Sequence, residues 1–315
     1  MKNARTLVTG AAGFVGSWLV PALHASGREP IGVHLPELPR GSAAIEWRAC
    51  DLRSRAAVAG LVAETRPDEV VHLAALASPS QAAREPLEAL RANYLALDHL
   101  LEALAESAPR ARLLFVSTGE VYGFSASGTP PWRESDRFWP HTIYAATKAA
   151  GERRVGLAVE RSGLDVVIAR PFNHTGPGRP AIYAESSFAE QLARIERGLQ
   201  EPVLRVGNLD AERDFSDVRD VVEAHVTLLE RGERGAAYNV SSGQACRIGA
   251  LLDLLIARAR VKPRVEVDPE RWRALPEGAS SLAGDASRLR ALGWRPAYAL
   301  GDTLEALLEA WRKSL

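Results

Sequence analysis

The chain has 315 residues, 46% hydrophobic and 25% charged, enough to bury a core as one large domain or two modest ones. Its 39 Lys plus Arg balance 39 Asp plus Glu, which gives no support to a nucleic-acid or acidic-membrane role. No apolar run reaches the ~18 residues of a membrane span and no signal-peptide pattern is visible, so a cytoplasmic protein is expected.

Residues 6–9 form a short apolar run ended by Gly10, the pattern of a buried strand. A helix is expected over 14–26, stopped by Gly27, and a second strand over 30–35. Further strands are expected at 69–73, 112–117 and 165–169, and helices at 55–65, 87–106 and 144–161. Strands alternating with helices indicate a parallel sheet covered on both faces. After Pro171 the pattern loosens. Residues 173–181 carry two prolines and two glycines and read as a loop. Helices at 188–198, 218–230 and 248–259 then alternate with strands at 203–206 and 237–240. No repeat, low-complexity tract or linker separates this portion, so it is expected to pack directly on the first.

Gly10-Ala11-Ala12-Gly13-Phe14-Val15-Gly16 stands between a strand and a helix, the context a dinucleotide-binding turn requires. Glycines let the backbone turn tightly and approach a pyrophosphate, and the helix N-terminus adds free N–H groups and partial positive charge. Asp51-Leu52 is a candidate adenine contact, Asp51 being equally suited to cap the helix at 55. Ala74-Ala75 are small enough to let a cofactor pass, or simply to pack closely. At the end of the second strand an NAD site carries Asp or Glu for the ribose 2′-hydroxyl. Here His34 takes that position, Glu37 is three residues late and Arg40 is within loop reach, which leans towards NADP(H).

Tyr144 and Lys148 lie one helical turn apart, downstream of Ser117-Thr118. A phenol with a pKa of ~10 is a poor proton shuttle at neutral pH. A neighbouring ammonium and an oxidised nicotinamide favour the phenolate and lower that value. A hydroxyl on the preceding strand end, Thr118, would bond the substrate oxygen.

Taken together, the glycine turn, Ser117-Thr118 and the Tyr144/Lys148 pair closely resemble the extended short-chain dehydrogenase/reductases, which act on nucleotide sugars. The resemblance runs essentially end to end. It implies a doubly wound α/β sheet of the Rossmann type with a smaller C-terminal α/β part. The dinucleotide part would span 1–172 with 214–242 returning to it, and the nucleotide-sugar part 173–213 and 243–315. Thr118, Tyr144 and Lys148 match the family's catalytic Ser/Thr, Tyr and Lys, Lys148 also binding the nicotinamide ribose.

Arg170-Pro171-Phe172-Asn173-His174-Thr175-Gly176-Pro177-Gly178 resembles a loop of GDP-4-keto-6-deoxy-mannose reductases. Gly207-Asn208-Leu209-Asp210-Ala211-Glu212-Arg213-Asp214 resembles a segment those reductases share with GDP-mannose 4,6-dehydratases. Gly293-Trp294-Arg295-Pro296 also matches. The implied substrate is a nucleotide-diphosphate sugar, GDP-linked, contacted by Asn173, Arg213 and Arg273. A guanidinium offers a bidentate fork for phosphate. Residues 271–277 depart from the family's Arg-Pro-x-Glu/Asp pattern.

The implied reaction is NAD(P)H-dependent reduction of a 4-keto group, giving GDP-rhamnose. Glu120 keeps a dehydratase open, since it stands where that enzyme's proton-removing Glu would be. The glycine turn lacks the dehydratase's Gln-Asp-Gly signature, which favours the reductase. A 4-epimerase is a further alternative of the same fold. A catalytically silent dinucleotide sensor has no need of both Tyr144 and Lys148. The resemblance also implies a homodimer through the helices that contain Leu87 and Tyr144. Cys50 and Cys246 form no CxxC pair, and neither they nor the histidines show metal-ligand spacing, so no metal and a reducing compartment are expected.

Overall fold

The computed structural model describes residues 3–37, 44–126, 129, 131–272 and 281–315. The N-terminal half contains β1 (Arg5–Thr9), α1 (Phe14–Ala25) and β2 (Glu29–His34) as expected, then a strand that was not expected, β3 (Glu46–Ala49), followed by the expected α2 (Arg55–Thr65) and β4 (Glu69–His72). Two short helices, α3 (Pro79–Arg84) and α4 (Pro86–Leu90), lead through a π-turn at Arg91–Leu95 into α5 (Ala96–Ser107). Next come β5 (Arg112–Val116), α6 (Ile143–Ser162) and β6 (Asp165–Pro171).

The helix expected over 87–106 is thus interrupted by the π-turn, and the reason is local. Buried Asn93 sits within that turn, donates to Thr147 Oγ1 at 2.9 Å and accepts from the Leu76 N–H at 2.7 Å. The extra residue aims this amide between α6 and the loop after β4. Inserted π-turns recur at functional sites.

The remaining elements are β7 (Asn173–Thr175), α7 (Ala184–Glu196), β8 (Val203–Val206), β9 (Glu212–Asp217), α8 (Val218–Arg231), β10 (Ala237–Val240), β11 (Ala245–Arg247), α9 (Ile248–Arg258), β12 (Arg264–Val267), β13 (Ser281–Leu282), α10 (Ser287–Ala291) and α11 (Leu300–Ser314). The stretch expected as a loop therefore opens with a short strand, β7, which pairs with β9.

Seven strands form one sheet in the order β10-β6-β5-β4-β1-β2-β3, every pairing parallel. Chain order reverses direction at β1 and β4, so a crevice opens beyond their C-terminal ends. One face packs on α2, α5 and α6 through Leu61, Leu100, Leu104 and Val155, the other on α1 and α8 through Leu19, Leu23, Val221 and Leu228. Each such buried aliphatic side chain contributes roughly 1.5–3 kcal/mol relative to exposure.

A separate core joins α7, α9 and α11 to β8 through Phe188, Leu192, Leu204, Leu251, Leu255, Leu304 and Leu308. Among the described residues no helix is long and apolar enough to cross a membrane.

Candidate active site

The C-terminal ends of β1, β2, β4, β5 and β6 open into a cleft of about 1150 Å3. Gly10, Gly13, Phe14, Val15 and Gly16 line its floor, with Ala74 and Ala75 beside them. Gly10 has φ +70°, and a Cβ on it would stand 2.9 Å from the Ala74 nitrogen. A Cβ on Gly16 would stand 2.4 Å from the Gly10 carbonyl oxygen. Strand, turn and helix therefore meet at a spacing only glycine allows. Gly13 caps α1 in an extended conformation without any side-chain hydrogen bond. The helix N-terminus is left to offer its N–H groups and dipole to an anion, so this cradle fits a pyrophosphate.

At the far end of the floor lie His34, Asp51 and Leu52. The His34 ring bonds the Leu35 carbonyl at 2.8 Å and stands edge-on to Trp47. Asp51 does not cap α2; Ser54 does, accepting from the Ala57 N–H. The Asp51 carboxylate instead holds the Arg53 guanidinium at 2.9 Å, and this cation keeps the carboxyl below its usual range. Arg53 also lines the cleft. Arg40 lies outside the described residues.

Thr118, Tyr144, Lys148 and Glu120 share the opposite end. Thr142 caps α6 by accepting from the Ala145 N–H at 3.0 Å, so the helix begins just before Tyr144. Burial pushes the Tyr144 phenol above its ordinary value, the Glu120 carboxylate adds to this, and the Thr118 hydroxyl opposes it. Burial thus overrides the lowering expected from the neighbouring ammonium, and the phenol carries its proton at neutral pH. Lys148 is buried, donates to the Val116 carbonyl at 2.8 Å and lies over the Phe115 ring. Burial pushes its ammonium down to about 8, opposed by Glu152. Burial likewise raises Glu120, against the Arg213 charge and a 3.3 Å bond from Thr142 Oγ1.

Asn173 lines the adjoining wall, as do His174, Arg179 and Tyr183. His174 lies parallel to the Phe14 ring and bonds the Phe172 carbonyl. Burial and the Arg179 charge push its pKa down to about 3, so it is neutral. The Arg179 guanidinium stacks on Tyr183 at 3.4 Å, lies 5.2 Å from the Phe14 centroid and pairs with Glu185. Arg213 stands behind this wall. Its guanidinium packs 4.4 Å over Phe124 and its charge faces Glu120. Arg273 lies outside the described residues. Among the described residues no group of three or more His, Cys, Asp or Glu is placed to hold a metal ion.

The family model described as GDP-mannose 4,6 dehydratase matches residues 7–307. The chain belongs to that family. It is 36% identical to a GDP-6-deoxy-D-mannose reductase of Pseudomonas aeruginosa over 98% of this chain and 97% of the relative. The solved structure of Pseudomonas aeruginosa RMD complexed with NADPH superposes with a TM-score of 0.88 at 35% identity, covering 99% of this chain and 100% of that one. A Thermus thermophilus UDP-glucose 4-epimerase with NAD reaches the same TM-score, 0.88, at 29% identity, covering 99% and 100%. The family comprises extended short-chain dehydrogenase/reductases, and the parallel seven-stranded sheet is theirs.

Arg53, His174, Arg179 and Tyr183 are among the cleft-lining residues that the sequence reading does not name as contacts. Arg53 directly follows the Asp51-Leu52 pair, and Arg179 directly follows the Pro177-Gly178 turn. Their adjacency to those segments was the available signal. In an arginine-rich chain, adjacency alone does not separate a cleft cation from a surface one.

Proposed function

We propose that this protein reduces the 4-keto group of a GDP-4-keto-6-deoxy-mannose-type nucleotide sugar with NAD(P)H, giving GDP-rhamnose, and does so in the cytoplasm. The observation that carries the reading is the convergence of Thr118, Tyr144 and Lys148 on the cleft that the glycine turn floors, in a chain 36% identical to a GDP-6-deoxy-D-mannose reductase.

Gly10, Gly13 and the N-terminus of α1 hold the pyrophosphate, Ala74 and Ala75 flank its path, and Asp51, Leu52 and His34 meet the adenosine end. A nicotinamide seated at the Lys148 end supplies the hydride. Tyr144 gives its proton to the reacting carbonyl oxygen, and Thr118 donates a hydrogen bond to the same atom. Lys148 keeps a positive charge beside the phenol and stabilises the phenolate left after proton transfer. Asn173 orients the sugar, and Arg213 and Arg273 bind the diphosphate. His34 lacks the carboxylate that would repel a 2′-phosphate, which favours NADPH. In this reading residues 1–172 and 214–242 serve the dinucleotide, and 173–213 with 243–315 serve the sugar nucleotide.

The protein acts as a homodimer. Leu87, Leu90 and Leu95, exposed on and just after α4, and Leu157, exposed on α6, offer the apolar face for a two-fold helix bundle.

Glu120 favours a second reading, GDP-mannose 4,6-dehydration, because it places a carboxylate in the cleft near Tyr144. Incubation with a panel of 4-keto nucleotide sugars while following NADPH absorbance tests the first reading. Consumption with the GDP-4-keto-6-deoxy sugar supports it, and no consumption with any member refutes it.

A further inference from the structure

Behind the catalytic residues lies a buried carboxylate that does not reach the cleft. Glu152 follows Lys148 by four residues on α6 and so shares its face. It accepts from Ser117 Oγ at 2.6 Å and from Arg170 Nε and Nη2 at 3.0 and 2.7 Å. Arg170, on β6, also donates to the Tyr122 hydroxyl at 2.6 Å and to the Glu134 carbonyl at 3.1 Å. Tyr122 in turn donates to Asn239 on β10 at 2.8 Å.

Ser117 immediately precedes Thr118, and the Val116 carbonyl holds the Lys148 ammonium. One carboxylate thus ties the helix that carries Tyr144 and Lys148 to the strand end that carries Thr118. Desolvating an ion pair is costly, and an apolar pair of similar volume is often as stable. Core stability alone therefore gives little reason for charge at this place.

We propose that Glu152 is a positioning residue: it fixes the Thr118 strand end against the Tyr144–Lys148 helix and holds Lys148 in its charged form. The proposal rests on the reductase reading for its kinetic consequence. The groups that bear on Lys148 are few. Glu152 on α6 favours the ammonium against the effect of burial. His72 on β4 is neutral, its pKa pushed down to about 3 by burial and by Lys148 itself. Tyr144, one turn earlier, is a protonated phenol. Arg170 on β6 is permanently charged and bonded to Glu152.

The test is Glu152→Gln in the full chain. Labelling of the Lys148 amine by a small acylating reagent, read by peptide mass spectrometry across pH, should show its midpoint move to lower pH. The alkaline limb of kcat/KM should move with it. On the alkaline side of both midpoints kcat should fall roughly tenfold for each pH unit that the midpoint moves, while KM for the nucleotide sugar barely changes. Glu152→Asp, which keeps the charge, should restore the labelling midpoint and part of kcat. An unmoved midpoint overturns the proposal, and so does a loss confined to KM or to thermal stability.

If Glu152→Gln leaves Arg170 unpaired and does not fold, Ser117→Ala decides. It keeps both charges and should lower kcat at unchanged KM with the midpoint in place; wild-type kcat overturns the proposal. A wild-type protein that reduces no keto sugar refutes the functional reading instead, and the labelling midpoints then decide the Glu152 proposal alone.

Discussion

The floor of the cleft and its wall are built by different means. The floor is main chain: a glycine turn, the open end of α1 and small residues after β4. Its shape follows from a left-handed backbone that favours glycine at Gly10, where a Cβ would also crowd the Ala74 nitrogen, and from an approach that only glycine permits at Gly16. The wall is side chain. Arg179 is held by two rings and a carboxylate, while Arg213, outside the cleft lining, packs on Phe124 with its charge towards Glu120. The chain is similar along its length to proteins named for different substrates, a GDP-6-deoxy-D-mannose reductase and a UDP-glucose 4-epimerase.

The sharpest test of the proposed reading is at Tyr144. On the proposed reading Tyr144→Phe should lower turnover by about 10²- to 10⁴-fold, while NADPH titrated by fluorescence binds nearly as before. Turnover within a few-fold of wild type would show that the acid lies elsewhere.

Arg213→Ala probes the proposed diphosphate contact. Loss of a charge-assisted hydrogen bond costs about 1.5–3 kcal/mol, so KM for the sugar nucleotide should rise roughly 10- to 150-fold at unchanged cofactor affinity. An unchanged KM would reduce Arg213 to a structural partner of Glu120.

Gly16→Ala probes the floor alone. Its methyl would meet the Gly10 and Ala11 carbonyl oxygens at 2.4 and 2.5 Å, and relieving that contact should cost about 1–3 kcal/mol. Thermal unfolding should move down and dinucleotide affinity weaken together. A fully stable variant with normal NADPH affinity would show that the turn can relax.

The smallest expected effect concerns cofactor choice at the edge of the floor. With His34 in place of a carboxylate, NADPH should bind at least as well as NADH. A preference for NADH beyond about tenfold, ~1.4 kcal/mol, would remove His34 from the argument.

The same division explains what was legible in the sequence. Hydrophobic period and glycine punctuation locate β1, α1, β2, β4, β5, α6 and β6 to within a residue or two, because these elements bury regular apolar faces. The Tyr144–Lys148 spacing is equally local. The π-turn at Asn93 was not legible, since its cause is a tertiary bond to Thr147. Nor was the pairing of β7 with β9, which joins residues 173–175 to 215–217 across an intervening helix and strand. The capping role open to Asp51 went to Ser54, because Arg53 engages the carboxylate. Elements α10 and α11 lie beyond the last segment assigned from sequence, although α11 buries Leu304, Leu307 and Leu308 at helical spacing.

The most direct test offers both readings to the protein at once. GDP-4-keto-6-deoxy-mannose is incubated with NADPH, GDP-mannose with oxidised cofactor, and both products are weighed by mass spectrometry. Reduction predicts that the keto sugar gains two hydrogens with one NADPH consumed per product, and that GDP-mannose is unchanged. An unchanged keto sugar together with loss of one water from GDP-mannose would contradict it and make Glu120 the catalytic base.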